Sequence, residues 1–385
     1  MDFLAHFQGR KFTDIEKILL NSIVGETNHF EWPALECTHP QAKWVVTSAL
    51  QKAIRRGQVE DARDYASALF DKEASYIVRR LAVIALEDVS VANIKAVAYA
   101  LALVGKIKWI RANGGHSLFS WVAGNLASGE TSRIACDIAC IGGLDPKLQP
   151  EIKSWAGSYD SELLEEVFTS NSYTIGERHL AGLALIGALH TKENGKVIYS
   201  TKNEEVFDKC LDRMEVPTLI RYLVYKGRKA NAEGLFVGLI LAWQRLKGLE
   251  SAEDDESPEL EPEDLLGYGY LGGVVSSAYD MHTAVGKKAI RLFAKEVPEI
   301  KDFLRKNKFT ERFLFSAIFN TEGTALRKPF DNIVTRNFET LNRHINITRF
   351  NTDEATLSEM YGLVIQNLTR LNDIRERLLN DPVTE

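Results

Sequence analysis

A short segment near residue 280 combines residue types that can do chemistry. Asp280 and His282 stand just before a predicted helix and could form an acid–base or ligand pair. Gly286, followed by Lys287 and Lys288, could instead bring the backbone close to a phosphate. A third interpretation needs no ligand: Asp280 caps the helix, and the lysines lie on its exposed side. The sequence leaves all three open, and the cap is the simplest.

Basic residues are concentrated directly after this segment. From Lys287 to Arg312 there are nine basic residues against four acidic ones. Clustered cations bind a phosphate backbone, and aromatic rings can stack on unpaired bases. We therefore predict a nucleic-acid-binding face made of Lys287, Lys288, Arg291, Lys295, Arg305, Lys306, Lys308 and Arg312. Phenylalanines at 293, 303, 309 and 313 are interleaved with these cations, but their helical spacing favours the core. The basic face could equally pair with an acidic segment of this or a neighbouring chain.

Two common kinds of active site are not supported by the spacing. A P-loop needs a glycine five residues before a Gly-Lys pair. Gly-Lys occurs three times, and the residues at the required position are Ala100, His190 and Met281. Cys136 and Cys140 share a helix face, but they supply only two of the four ligands of a structural zinc site. We predict no cofactor and no metal, and the sequence favours a non-enzymatic protein.

Helices are the elements that must position these residues. Between Lys43 and Gly105, four segments place apolar residues at i, i+3, i+4, i+7 and i+8, which is one face of an α-helix. Further helical patterns follow, and a final one is predicted from Asp353 to Leu379. Strand signals are sparse. The fold class expected is all-α, a multi-helix array.

Composition and charge predict how the chain divides into domains, but they do not indicate a reaction. The 385 residues carry a formal charge of −6, which argues against a generally basic nucleic-acid coat. A window of nine acidic residues and no basic ones, from Glu250 to Asp264, reads as a linker. We predict a leader over 1–42, a helical domain over 43–249, an acidic linker over 250–266 and a C-terminal helical domain over 267–385. No signal peptide or membrane span is expected, so we predict a cytoplasmic protein.

The first helices also carry a family resemblance. The matching features are Ser48 to Arg55, then Asp61-Ala62 with Tyr65, and then Arg79 to Val89. This stretch of about 60 residues resembles the region behind the ATPase module of MgsA/RarA-type AAA+ ATPases, which are relatives of clamp loaders. In that family the region is part of a helical collar through which subunits assemble, in proteins acting at stalled or recombining replication forks. The resemblance implies a collar-like homo-oligomer surface, which we place at Ala49, Ala53, Tyr65, Leu69, Arg79 and Arg80.

The resemblance does not bring a catalytic residue with it. Only 42 residues precede the match, so the ATPase module is expected to be missing. A phage or accessory gene that kept the collar and lost the motor would have this organisation. We expect a non-enzymatic accessory protein of DNA replication, recombination or repair, with DNA (single-stranded or a junction) or a replisome protein as partner. The alternatives are a decoy that binds a host AAA+ ATPase or clamp loader, and an enzyme acting on a nucleotide or phosphorylated substrate around Asp280 and His282.

Overall fold

The computed structural model describes residues 3–36, 42–157, 160–247, 269–324, 326, 329–330 and 333–380. The predicted acidic linker, 250–266, lies outside the described residues. In the described part the chain is mostly helical, so the predicted all-α class is confirmed. None of the described helices is both long and apolar enough to cross a membrane.

The first part of the chain forms a packed array of helices. Their bounds are α1 (Phe12–Thr27), α2 (Ala42–Arg55), α3 (Val59–Ile84), α4 (Ile94–Ala102), α5 (Ile107–Ala112), α6 (His116–Ser128), α7 (Ile134–Leu144), α8 (Gln149–Gly157), α9 (Ser161–Thr169), α10 (Ile175–Leu185), α11 (Glu204–Arg213), α12 (Thr218–Lys229) and α13 (Glu233–Lys247). A small antiparallel hairpin, β1 (His190–Glu193) and β2 (Lys196–Tyr199), interrupts the array.

The second part begins with a minimal hairpin and continues with helices. Its elements are β3 (Tyr270–Leu271), β4 (Val274–Val275), α14 (Ala284–Glu296), α15 (Pro298–Lys306), α16 (Glu311–Ile318), α17 (Ile333–Phe350), α18 (Glu354–Gln366) and α19 (Leu368–Asn380). The prediction of a single helix from Asp353 to Leu379 is wrong, because two helices, α18 and α19, occupy this range. Asn367, with φ −109° and ψ 15°, leaves the helical region and separates α18 from α19.

Helix α3 contains two of the helical segments predicted between Lys43 and Gly105, and a kink divides them. Helix α3 runs through the polar joint Asp71-Lys72-Glu73, with a kink at Glu73, where φ is −131° and ψ is 32°. Its end is unusual, because it continues into a π-helical turn, Ala85–Val89. A second π-helical turn, Phe319–Gly323, follows α16. Turns of this kind are rare and often lie at functional sites.

The buried apolar residues form two separate cores. The first gathers the helices from α1 to α13, and it also takes in Val274, Val275, Ala278 and Tyr279. The second consists of side chains from α14, α15, α16, α18 and α19. Helix α17 packs against α7, and its Phe338 and Ile345 belong to the first core. Residues 267–385 therefore contribute to both cores, and the leader residues Ile15 and Leu19 belong fully to the first.

Candidate functional site

Helix α2 carries a buried ion pair on the side that faces the second part of the chain. Lys52 pairs with Asp280, and the two side chains are 2% and 5% exposed. The Lys52 ammonium also donates to Ser48 Oγ at 2.8 Å, and that hydroxyl donates to Asp280 Oδ2 at 3.0 Å. This contact joins residues more than 220 positions apart in the sequence.

Asp88, in the first π-helical turn, is the centre of a second group. Its side chain is fully buried. Arg55 Nε and Arg133 Nη1 each donate to Asp88 Oδ1 at 2.7 Å, and Gln51 Nε2 donates to Oδ2 at 2.8 Å. Glu87 lies 3.7 Å from Arg55 and 3.6 Å from Arg133, at the more exposed edge of the group. One buried carboxylate thus satisfies two guanidinium groups.

Glu322, in the second π-helical turn, completes the arrangement. Its carboxylate pairs with Arg375 of α19, and both side chains are at most 1% exposed. The Glu322 carbonyl accepts a hydrogen bond from Arg56, and the Gly323 carbonyl accepts one from Arg55. The two π-helical turns therefore meet through the arginines at the end of α2.

These three groups form one feature, which we call the buried ionic layer. Its members are Ser48, Gln51, Lys52, Arg55, Arg56, Asp88, Arg133, Asp280, Glu322 and Arg375. Charges of this kind are tolerated inside a protein only when each is paired and hydrogen-bonded. The layer links helix α2 of the first core to α19 of the second, so it is a polar joint between the two cores.

Two carboxylates of the layer, Asp88 and Asp280, stay charged because their partners outweigh burial. Burial alone would raise the pKa of Asp88, but the charges of Arg55 and Arg133 hold it below its ordinary value. Burial would likewise raise the pKa of Asp280, and the charge of Lys52 lowers it below its ordinary value. Charged partners thus fix the protonation state of both groups.

Some of the residues that carry the family resemblance lie in this layer. Ser48, Lys52, Arg55 and Asp88 are members, and Arg80 reaches its edge by donating to Gln51 Oε1 at 2.7 Å. Sequence reasoning missed Glu322 and Arg375, since no local pattern marks them. Their pairing spans 53 positions of the sequence and exists only in the folded chain.

The interpretation of Asp280 as a helix cap is wrong. Thr283 caps α14, and its Oγ1 accepts from the Gly286 backbone N–H at 3.1 Å. Asp280 instead accepts from Lys52, and its Oδ1 accepts from the His282 backbone N–H at 2.8 Å. The geometry therefore uses Asp280 as the ion-pair partner of Lys52.

The predicted nucleic-acid-binding residues lie on the second part of the chain, and seven of the eight are exposed; Lys288 is half-buried. Lys287, Arg291 and Lys295 follow one another at four-residue intervals on α14, so they share one face. Arg291 Nε lies 3.5 Å from Glu311 at the start of α16, and the exposed Arg312 is the next residue of that helix. We call Lys287, Arg291, Lys295 and Arg312 the α14 patch.

Arg305 and Lys306, two of the remaining predicted cations, have a different setting. Arg305 donates to Asp302 at 3.0 Å, and it lines a shallow groove between α15 and α18 together with Lys306. Three carboxylates, those of Glu299, Asp302 and Glu359, line the same groove. Mixed charge makes this groove a poor track for a phosphate backbone, in contrast to the α14 patch.

The interleaved phenylalanines are core residues, as their spacing favours. Phe293, Phe303 and Phe313 are 0%, 5% and 1% exposed. Phe309 is half-buried and stacks on Phe313 with 4.1 Å between ring centroids. Their position in the second core makes α14, α15 and α16 a firm support for the cations above them.

Four of the six residues predicted for oligomerisation are buried within the chain itself. Ala49 and Ala53 are 0% exposed, Leu69 is 1% and Tyr65 is 8% exposed. Their apolar spacing is thus explained by packing between α2, α3 and their neighbours, and this part of the predicted surface is wrong. Arg79 is exposed and Arg80 half-buried, so only these two can meet a second subunit.

Three further observations concern the cysteine pair, possible metal ligands and a cavity. Arg133 Nη2 donates to Cys136 Sγ at 3.2 Å, and Cys136 is buried, so this thiol is part of the packing. Across the described ranges, no three His, Cys, Asp or Glu side chains are grouped so that they could hold a metal ion. A cavity of about 390 Å³ lies between α17 and the α7–α10 region, with Ile141, Leu148 and Ile345 among its walls.

Comparison with known proteins gives no family or relative for this chain. No known protein family, no curated protein and no solved structure matches it. The resemblance of the first helices to a clamp-loader-type collar therefore stays a prediction.

Proposed function

We propose that this chain is a nucleic-acid-binding accessory protein of DNA replication, recombination or repair. The observation that carries the proposal is the α14 patch. Three of its cations lie one turn apart on one exposed helix face, and within the described residues only Arg291 has a carboxylate at ion-pair distance. Cations clustered in this way neutralise phosphates and release counterions, which is the main source of non-specific affinity for DNA.

The buried ionic layer supports the proposal from the structural side. It fixes α2, which carries part of the family resemblance, against Asp280, four residues before α14 begins. The cations of α14 are therefore held on a rigid support and not on a free segment. The replication context rests on the resemblance alone, and the α14 patch supplies the binding surface.

A charge-reversal experiment tests the proposal. Lys287→Glu/Lys295→Glu changes the charge of the patch by −4, and Lys192→Glu/Lys196→Glu makes the same change on the exposed β1–β2 hairpin. We expect the first variant to lose at least tenfold in affinity for fluorescent DNA at low salt, measured by anisotropy, and the second to bind almost normally. Equal losses in both variants, or no binding by the parent chain, would contradict the proposal.

Partner capture provides a separate test of the replication context. The parent chain and Arg79→Glu are used as baits against purified clamp-loader and AAA+ ATPase components. If the parent chain binds DNA and also captures one of these components, the accessory role is supported. If it captures a component but binds no DNA, the decoy alternative is supported, in which the protein acts on an ATPase and not on nucleic acid.

A further inference from the structure

We infer that the α14 patch binds the phosphate backbone of a duplex, without sequence preference, and that it does not hold single strands by base stacking. This inference rests on the proposed function and specifies its substrate class. Three features support it: the placement of the aromatic rings, the spacing of the cations and the charge density of each form of nucleic acid.

In the described helices α14 to α19, every phenylalanine and tyrosine ring is buried or half-buried. Sequence-tolerant binding of single strands depends on bases that stack on exposed aromatic side chains, each worth about 1–3 kcal/mol. Phe293, Phe303 and Phe313 are buried, and Phe309 is stacked against Phe313. Within residues 284–324 and 333–380, no aromatic side chain is among the exposed large apolar ones. A single strand on this patch would therefore be ordered without the free energy of base stacking.

The cations are arranged as a rigid row. Lys287, Arg291 and Lys295 are separated by four residues each, which corresponds to a rise of about 6 Å per step and about 12 Å in total. The minor groove of a duplex is about 6 Å wide and the major groove about 12 Å wide. A row of this length therefore reaches phosphates on both edges of either groove. A duplex already holds its phosphates in fixed positions, so it binds a rigid row without a further ordering cost.

The Glu311 carboxylate that pairs with Arg291 does not block this contact. Glu311 lies 3.5 Å from Arg291, and the two side chains are 43% and 58% exposed. An exposed pair of this kind contributes only about 0–1 kcal/mol, so a phosphate can replace Glu311 as the partner of Arg291. No base-reading side chain is required, since phosphate contacts carry no sequence information.

Salt dependence gives the inference a number. If the four cations of the α14 patch each neutralise one phosphate, the logarithm of the association constant falls with the logarithm of salt with a slope of about −3.6 for a duplex. The same four contacts on a single strand would give about −2.8. Removing Lys287 and Lys295 should reduce the slope for the duplex by about half.

The test compares labelled 20-base-pair duplexes of two unrelated sequences with a 20-residue oligo-dT, by anisotropy over a series of salt concentrations. We expect both duplexes to bind within threefold of each other and at least tenfold tighter than oligo-dT, with a slope near −3.6. Phe309→Leu should leave the affinity for oligo-dT unchanged.

Four outcomes would overturn the inference. Binding of oligo-dT as tight as that of the duplexes, or a large loss of it in Phe309→Leu, would show that stacking contributes. A tenfold difference between the two duplexes would show base readout. Absence of binding to every probe would refute the proposed function itself, and that result is distinct from the other three.

Discussion

Neutralising Asp88 is the sharpest test of the buried ionic layer. Asp88→Asn keeps the size of the side chain and one oxygen, but it removes the negative charge. Arg55 and Arg133 would then remain buried beside a neutral group, with Glu87 at 3.7 and 3.6 Å as the nearest carboxylate. Breaking a buried ion pair by removing one partner costs about 3–5 kcal/mol, because the other charge is left uncompensated.

The expected loss for Asp88→Asn is at the lower end of that range, about 3 kcal/mol, since Glu87 still compensates part of the charge. With a urea dependence of about 3 kcal/mol per molar, the midpoint of unfolding should fall by about 1 M. Urea titration followed by tryptophan fluorescence and circular dichroism measures this change directly.

Asp302→Asn is the matched control for Asp88→Asn. Asp302 pairs with Arg305 at 3.0 Å, but their side chains are 64% and 79% exposed. An exposed pair contributes about 0–1 kcal/mol, so the midpoint of this variant should hardly change. If Asp88→Asn destabilises the protein no more than Asp302→Asn does, the layer is not a joint between the cores, and the reasoning is refuted.

The pH dependence of the same variant provides a second check. The pKa of Asp88 is lowered in the folded chain, because Arg55 and Arg133 outweigh the effect of burial. The unfolded chain, with an ordinary aspartate pKa of about 3.9, therefore takes up a proton at higher pH than the folded one. The stabilisation is present above about pH 4 and is lost as the pH falls through the folded pKa. Asp88→Asn should lose less stability than the parent chain on acidification below pH 4.

Three further predictions concern buried positions. Lys52→Met leaves the Asp280 carboxylate buried without its cation and should lower the free energy of unfolding by about 3–5 kcal/mol. The double variant Lys52→Met/Asp280→Asn should recover part of this loss. Urea titration of both variants measures the difference, and equal losses would contradict the ion-pair account. Burial lowers the pKa of His179 to about 4, against an ordinary value of about 6.5, so the unfolded chain binds more protons between these values and stability should fall by up to ~3 kcal/mol from pH 6.5 to 4. His179→Gln should remove this slope in thermal unfolding, and an unchanged slope would assign it to other groups. Gly286→Ala should destabilise the protein by several kcal/mol, because a Cβ there would lie 2.0 Å from the Asp280 carbonyl oxygen, while Gly143→Ala, with open space around it, should be neutral in the same assay.

The sequence predicts the elements well where the apolar period is local. The periodic segments between Lys43 and Gly105 are helical. Apolar spacing specifies the buried face of each helix, because residues three and four positions apart lie on the same side. Boundaries without a strong breaker were less predictable. The polar joint near Glu73 bends α3 without ending it, and Asn367 ends α18 inside an unbroken apolar pattern.

The exposed charges of the candidate site were also within reach of the sequence. Lys287, Arg291 and Lys295 share a face as soon as their segment is known to be helical. The sequence did not separate them from Arg305 and Lys306, which lie beside carboxylates in another groove. The tertiary packing of α14, α15 and α18 makes that division, because it determines which helix faces are adjacent.

The buried ionic layer was decided by the tertiary structure alone. On the sequence, Ser48, Lys52 and Arg55 lie on the polar side of an amphipathic helix, the side that normally faces water. In the folded chain that side is covered by residues 276–280 and by the turn 319–323, which bring Asp280 and Glu322 to it. A local period shows which residues share a face, but it holds no information on what covers that face from more than 220 residues away. The partners of Lys52 and Arg56 therefore follow from the fold, and the polar character of α2 that requires such partners follows from the sequence.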